Sequence, residues 1–397
     1  VRFTVEQFLP ASPAAVWPYI TEPEKMNLWS TAHVRFLTPG DGPEPWRIGT
    51  LRQITIKSGR RRIRFDEVIQ DSLPGKFLVY RVIGGAPVRY HRGEIKLIPK
   101  DGGTQLRWEV AIRFPVPGMG FAARLLLEKQ LGESLRELAK VVIGKPEVAY
   151  EASHFPDESA ELPALYEAAE AIYEEQRDLA EELTARNDPK RWFVRVYQYV
   201  TECQIAACRR GDFAHPAWVL RLIPRFHYYY LKNLRAWQEQ RLHECEHHWA
   251  SSFLAQDMAR KWKGGDLGEI GYGIAKGMQA HIEEDLPRTL AEIYNWHYQD
   301  VCAYGRFRAD YLMMGGIFRE ASSKLLALVP SDALSLQNRI VERYMPPEIK
   351  DNLMAKYYYD IARERRKAFE RGERLARLMA GENSSPAFTP EEYRASS

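Results

Sequence analysis

Apolar and polar residues alternate in the first third of the chain, and beyond Leu162 the apolar residues recur three and four apart, so strands give way to helices along the sequence. Val1 to Leu9 reads as a strand. Ser12-Pro13 supplies an N-cap followed by proline at the first helical position, opening a short helix through Ala15, Val16, Trp17 and Ile20 that Pro23 interrupts. Further strands are predicted at Thr50 to Lys57, Ile63 to Ile69, Phe77 to Ile83, Arg89 to Ile98 and Gln105 to Phe114. Lys100-Asp101-Gly102-Gly103 is a hairpin turn between the last two. After Pro115 and Pro117, the segment Phe121 to Ile143 places Leu125, Leu126, Leu131, Leu135, Leu138 and Val142 along one side of a long helix.

The remainder predicts helices at Leu165 to Arg186, Trp192 to Arg209, Pro216 to Leu222, Phe226 to Leu254, Ile270 to Ile282, Pro287 to Met314, Phe318 to Leu328 and Pro346 to Met379. No repeat of fixed period is present in the sequence. The expected organisation is therefore α+β: a curved antiparallel sheet with a long helix over residues 1–146, a proline-bearing linker at 147–162, an all-α domain at 163–380 and a disordered tail at 381–397. Arg363, Arg365, Arg366, Lys367, Arg371 and Arg374 alternate with Glu364, Glu370 and Glu373, which reads as a salt-bridged exposed face.

Side chains alternate across a strand, so the apolar set of each strand marks the concave face and brings polar residues of the same register with it. Trp108, Val110, Ile112 and Phe114 share one face with Leu106. Ile95 and Leu97 carry the register back through Gly93 to His91 and Arg89; Ile54 and Ile56 bring Arg52 inward; Phe77 and Val79 bring Arg81 inward in the absence of a bulge. The expectation is an aromatic and aliphatic pocket with a basic edge of Arg52, Arg81, Arg89 and His91, the last able to move a proton near neutral pH. Arg60-Arg61-Arg62 reads as a solvated hairpin tip.

One strand, a helix pair, a run of antiparallel strands and a closing helix resembles the helix-grip fold of the START-like (SRPBCC) superfamily. The opening Leu9-Pro10-Ala11-Ser12-Pro13-Ala14-Ala15-Val16-Trp17 and the hairpin Asp66-Glu67-Val68-Ile69-Gln70-Asp71-Ser72-Leu73-Pro74-Gly75-Lys76-Phe77-Leu78-Val79-Tyr80-Arg81 are similar to that family's sequences. The resemblance covers residues 1–146 and implies a cavity for an apolar small molecule, shared by polyketide cyclases, aromatases, dehydratase-like proteins, hormone receptors and lipid carriers. It does not fix a reaction.

In the helical part, His281 and Asp285 stand at i, i+4 on one face, with Arg288 at i+7 and the small-residue run Gly271 to Met278 before them. Asp310-Tyr311 follows on the next helical stretch, and a chain break near Gly305 would let it converge on His281 and Asp285 as an acid–base site. His243-Glu244-Cys245-Glu246-His247-His248 is a second place with ligand-type pairs, His227 or Asp310 being available as a third ligand. No zincin or di-iron pattern is present. No cofactor is implied, and His281 with Asp285 is the place where a metal ion would sit. Gly277-Met278-Gln279-Ala280-His281-Ile282, Asp285-Leu286-Pro287 and Asp310-Tyr311 resemble an uncharacterised bacterial helical domain over residues 190–330.

Bulk properties narrow the classes. At 397 residues the chain is too long for one core and implies two domains. A net charge of +3 supplies no general field for nucleic acid or anionic lipid, and no apolar run is long enough for stable membrane insertion. Residues 1–20 lack a signal-peptide pattern, and Cys203, Cys208, Cys245 and Cys302 lack paired spacing, which points to reduced thiols and the cytoplasm. Nothing in the sequence sets the oligomeric state. The expected function is a biosynthetic enzyme acting on an apolar, carbonyl-bearing, polyketide-like substrate by cyclase, aromatase or dehydratase chemistry, with His91 as acid or base and Arg89 or Arg81 holding the oxyanion. The alternatives are a carrier of hydrophobic ligands and an enzyme, metal-dependent or acid–base, whose site is His281, Asp285 and Asp310.

Overall fold

The computed structural model describes residues 1–58, 61–86, 88–114, 119–259, 274–326 and 360–381. Arg60, Pro115, Pro117, Gly271 to Gly273, Leu328, the expected helix start at Pro346 and the tail after Gly381 lie outside the described residues. The chain forms two compact units, one of residues 1–156 with 302–312, the other of residues 157–301 with 313–397.

The first unit is built on an antiparallel sheet of seven strands in the order β1-β7-β6-β5-β4-β3-β2. These are β1 (Arg2–Leu9), β2 (His33–Thr38), β3 (Leu51–Ser58), β4 (Arg61–Leu73), β5 (Phe77–Gly84), β6 (Tyr90–Lys100) and β7 (Gly103–Arg113). Helices α1 (Pro13–Thr21) and α2 (Pro23–Met26) follow β1, and α3 (Met119–Val141) follows β7. Ser12 caps α1 by accepting from the Ala15 amide at 3.4 Å. One core joins Trp17 and Ile20 of α1, Leu78 and Tyr80 of β5, Ile95, Leu97, Leu106 and Trp108 of β6 and β7, and Leu135 and Leu138 of α3.

Two expectations needed correction here. Leu125 and Leu126 are 54% and 55% exposed, and the buried side of α3 runs through Leu127, Leu131, Leu135 and Leu138 to Val142. That line keeps a spacing of three and four throughout, whereas Leu125 and Leu126 fall off it. In β5 the inward residues are Leu78 and Tyr80, one position out of step with Phe77 and Val79. The cause lies opposite, where a Cβ on Gly93 would stand 2.2 Å from Cζ of Tyr80, so only glycine leaves room for the ring to turn inward. Arg81 therefore pairs with Val68 on the opposite face from Tyr80.

A segment far along the chain completes this unit. The 3-10 turn Tyr304–Phe307 and the helix start at Arg308 bring Gly305 against the loop between β2 and β3. A Cβ on Gly305 would lie 2.6 Å from the Gly40 carbonyl oxygen, and one on Gly49 would lie 1.8 Å from that of Gly305. Around this backbone contact Arg306 donates to Asp41 at 2.5 Å, both side chains 7% exposed, and the Ala303 amide donates to the same carboxylate at 2.9 Å. Arg308 donates to the carbonyls of Pro39 and Gly49 at 2.6 and 2.7 Å.

The second unit is helical, with α4 (Leu162–Ala185), α5 (Arg191–Arg209), α6 (Pro216–Gln238), α7 (His247–Ala259), a helical run at 274–280, a π-helical turn at His281–Asp285, and α8 (Leu286–His297). Gly315–Leu326 and Ile361–Gly381 follow. Pro224 stands inside α6 instead of dividing it, because Trp218 to Ile223 before it and Tyr229, Tyr230 and Leu234 after it are buried together. That burial outweighs one missing hydrogen bond. The helix expected from Phe226 to Leu254 ends at Gln238, since Gln240 takes the left-handed conformation (φ 59°) and the Glu246 amide donates to Asn233 Oδ1 at 2.7 Å to start the next helix. His243 and His247 thus share no helix face, and His243 is exposed. The expected Pro287 to Met314 helix ends at His297. Among the described residues no helix is long and apolar enough to cross a membrane. Cys203, Cys208 and Cys245 are buried and outside any disulfide, and Cys302 is half-buried.

The glycine contact yields a prediction. Gly305→Ala should lower the stability of the first unit by about 1 to 3 kcal/mol through overpacking against backbone that cannot yield. Gly315→Ala, where an added Cβ meets nothing within 4 Å, should not. Denaturation midpoints of the two variants make the comparison, and equal midpoints would refute the close contact.

Candidate functional site

Among the described residues, sequence-predicted chemistry-bearing side chains gather in the interior at one place in each unit. In the first unit the concave side of the sheet carries Trp108, Val110 and Ile112, all buried, with Phe114 half-buried against the same core. Within this apolar lining sits a polar floor. Trp108 Nε1 donates to the Tyr80 hydroxyl at 2.9 Å, leaving the hydroxyl's own proton to offer. Arg52 is 4% exposed and donates to Glu67 Oε2 at 2.9 Å from directly across the β3–β4 pair, with its guanidinium 4.9 Å from the Tyr80 ring centre. Burial pushes Glu67 above the ordinary carboxylate range despite Arg52, and burial raises Tyr80 as well.

His91 lies across from Ile112, its ring centre 5.5 Å from that of Tyr80, and its Nδ1 is buried without a hydrogen-bond partner. Burial, and after it the charges of Arg81 and Arg52, lower its pKa to about 4. The expectation of titration near neutrality is corrected accordingly: the imidazole is neutral at pH 7 and acts as a hydrogen-bonding group there. Arg81 is engaged elsewhere, donating to Gln70 Oε1 at 2.8 Å and to the His91 carbonyl at 3.4 Å and covering the Tyr90 ring. Arg89 is exposed just ahead of β6, its amide bonded to the Arg113 carbonyl. The basic edge thus reduces to one buried arginine, already paired.

In the second unit the π-helical turn holds His281 and Asp285 together, Nδ1 to Oδ2 at 2.9 Å. Pro287, separated from the turn by Leu286, has no amide to close an ordinary turn, while the Leu286 amide reaches back five residues to the His281 carbonyl. Asp285 is fully buried and takes further bonds from Trp249 Nε1 at 2.9 Å and Arg288 Nη2 at 2.8 Å, with His248 Nε2 at 3.1 Å. Burial would raise its pKa, but the hydrogen bonds from His248 and His281 and their charges hold it well below the carboxylate range. For His281 burial dominates and lowers the pKa, against the opposing hydrogen bond and charge of Asp285.

Rings close around His281: Phe226 stacks on it at 3.4 Å, and Tyr197, Trp249, Phe193 and Tyr230 stand at 4.9, 5.6, 5.7 and 6.5 Å. Asp310 is also fully buried, but it lies in the 302–312 segment of the first unit, so the compact unit of His281 and Asp285 does not contain it. Glu246, His248 and Asp285 offer ligand-type atoms within 4.8 Å of one another. Arg288 bridges the two carboxylates of that set, at 2.6 Å to Glu246 and 2.8 Å to Asp285, so a guanidinium already supplies the positive charge a metal ion would bring.

The sequence pattern passed over Tyr80, Glu67 and Trp249, and named His248 only as a possible metal ligand beside Glu244. Glu67 becomes visible once β3 and β4 are registered by Ser58 opposite Arg61, which sets Arg52 against it. Nothing in the pattern showed that His248 and Trp249 meet Asp285, which lies 36 residues or more away.

His91 carries a test of this geometry. Its folded pKa of about 4 lies below the ordinary 6.5, so the unfolded chain binds the proton first as pH falls. Stability is therefore complete above 6.5 and declines toward 4. A His91→Phe protein should lose about 2 to 3 kcal/mol less than the unaltered protein over that window. Urea denaturation at a series of pH values measures it, and parallel profiles would mean that His91 is solvated.

Comparisons with known proteins fit this two-part architecture. The model of the family described as "Polyketide cyclase / dehydrase and lipid transport" matches residues 1–142, and that of the "Family of unknown function (DUF5995)" matches residues 169–390. MLP-like protein 423 of Arabidopsis thaliana is 35% identical over 74 residues, 17% of this chain and 46% of that protein, so the match spans under half the relative's length. Among solved structures, TTHA0849 from Thermus thermophilus is 16% identical with a TM-score of 0.30, covering 36% of this chain and 97% of that one. Ara h 8.0201 is 15% identical with a TM-score of 0.30, covering 36% and 99%.

Proposed function

Because the chain belongs to the family of unknown function DUF5995 through residues 169–390 and carries a polyketide cyclase / dehydrase and lipid transport domain at 1–142, we propose that it binds an apolar small molecule inside the helix-grip domain and grips one oxygen of it. The observation that carries this reading is the unpartnered, buried His91 Nδ1, its ring 5.5 Å from that of Tyr80, in an interior lined by Trp108, Val110 and Ile112. A buried nitrogen without a partner costs about 1 to 3 kcal/mol, which a guest bearing a carbonyl or hydroxyl recovers. Trp17 and Trp46 each add a buried Nε1 without a partner, so the same interior holds spare donors for such a guest.

Cyclase, aromatase or dehydratase turnover is the finer form of this reading, and its acid–base step is less well supported. With a pKa near 4, only about 0.1% of His91 is protonated at pH 7, so it is a poor general acid, and as a base it is weak. Binding and orientation of an oxygenated apolar ligand, with the imidazole and the tyrosine hydroxyl as neutral hydrogen-bond partners, is what the geometry supports best.

The reading is tested with 2-acetylnaphthalene against 2-isopropenylnaphthalene, two probes of nearly equal shape in which a methylene group takes the place of the carbonyl oxygen. The ketone should bind about tenfold more tightly, and His91→Phe should remove that difference while leaving the hydrocarbon's affinity unchanged. Isothermal titration gives both affinities. No preference for the ketone in the unaltered protein would overturn the oxygen grip, and no binding of either probe would overturn the apolar site.

A further inference from the structure

The ligand reading of the first unit leaves unused the polar cluster around Asp285 in the helical unit. We propose that Glu246, His248 and Asp285 bind one divalent transition-metal ion, and that Arg288 holds these three groups together until the ion displaces it. The site is independent of whatever the helix-grip domain binds.

The spacing of the ligand atoms carries the argument. His248 Nε2 stands 3.1 Å from Asp285 Oδ1 and 3.5 Å from Glu246 Oε2. Metal bonds of about 2.0 to 2.1 Å in a tetrahedral site put neighbouring ligand atoms roughly 3.3 to 3.4 Å apart, so these separations already suit a shared ion. Arg288 Nη2 touches the same two oxygens, at 2.8 Å to Asp285 Oδ1 and 2.6 Å to Glu246 Oε2. A single cationic nitrogen in contact with both carboxylates stands in for the ion. It brings one positive charge to two carboxylates, with Lys232 reaching Glu246 Oε1 at 3.5 Å, whereas a divalent ion would match both at once. One imidazole nitrogen and two carboxylate oxygens are donors that zinc accepts.

The groups behind Asp285 hold it in a ligating pose. Its Oδ2 takes hydrogen bonds from His281 Nδ1 and Trp249 Nε1, each at 2.9 Å, which leaves Oδ1 to face His248 and Arg288. Anchoring a carboxylate through its second oxygen is how proteins orient metal ligands. His281 therefore supports the set without joining it, and the metal position expected at His281 with Asp285 moves to the other oxygen of that aspartate. Glu246 and His248 stand at the start of α7 and Asp285 in the π-helical turn before α8, so two separate stretches of backbone fix the three ligands. The side chains of His248, Glu246 and Arg288 are 20%, 24% and 34% exposed, which gives an ion a way in and the guanidinium a way out. Arg288 keeps a seat over the Tyr229 ring, 4.2 Å from its centre, once its carboxylates are taken. Three protein ligands leave a further position on the ion for water or a ligand oxygen.

The test uses the full chain, freed of metal with EDTA, and zinc alone as the probe in isothermal titration. One zinc per chain should bind with an affinity on the order of 1 μM. Arg288→Met keeps the stem and removes the competing charge, so it should tighten zinc binding about tenfold. Glu246→Gln keeps the shape at a half-buried position and should weaken it about tenfold, a comparison that stands even where Arg288→Met fails to fold. No zinc bound by the unaltered chain would overturn the proposal and leave the cluster as an ion-pair network. Zinc affinity unchanged in Glu246→Gln would place the ion on other histidines or cysteines and overturn it too. Affinity unchanged in a folded Arg288→Met would overturn the displacement of the guanidinium.

Discussion

The sheet domain is sealed by a contact between backbones, and much of its interior depends on that seal. Gly40, Gly49 and Gly305 approach so closely that no side chain fits between them. The same contact takes the Asp41 and Arg306 charges out of water. A buried ion pair of this kind contributes little net stability, but losing either partner strands the other at a cost of several kcal/mol. The pair therefore acts as a registration device: the segment 302–312 fits in one place, with Arg308 locked to two carbonyls of the receiving loop. Arg308 and the Ala303 amide supply hydrogen bonds that the loop cannot provide for itself.

Burial also explains why the two central histidines differ in their chemical use. Desolvation lowers the pKa of both. His91 has cationic neighbours, which add to that lowering, and a buried Nδ1 without a partner, so it is a neutral hydrogen-bonding group. His281 has a carboxylate bound to one nitrogen and rings against its face, so the carboxylate opposes the lowering that burial causes. Asp285 in turn remains ionised only because Trp249, His248 and Arg288 replace the water it lost.

The sequence was most legible where one physical rule acted alone. Along β6 and β7 the period-2 pattern identified Ile95, Leu97, Trp108, Val110 and Ile112 as inward, because a hairpin with a tight turn leaves no freedom in register. In β5 the same rule misplaced Arg81, since the inward position of Tyr80 is decided by the missing side chain of Gly93 across the sheet. Helical spacing placed His281 beside Asp285, a local relation. It could not reveal that His248 and Trp249 meet Asp285, or that residues 302–312 join the sheet, because those places depend on tertiary contacts across many residues. Within Pro216 to Ala259, Pro224 suggested a break and Gln240 did not, yet the chain bends at the second, because buried apolar surface on both sides of Pro224 outweighs a single lost hydrogen bond.

The closure of the sheet by residues 302–312 sets a timetable for synthesis. When the ribosome has released residue 156, the chain needs another 145 residues, from 157 to 301, before the closing segment is made. At about 5 to 20 residues per second, that interval is roughly 7 to 30 s. During it the Asp41 carboxylate stays hydrated and the glycine loop has no counterpart, so the nascent sheet is an incomplete domain in water. Any messenger truncated between codons 157 and 301 yields that incomplete domain permanently, which makes the half-made chain a natural client for chaperones and proteases.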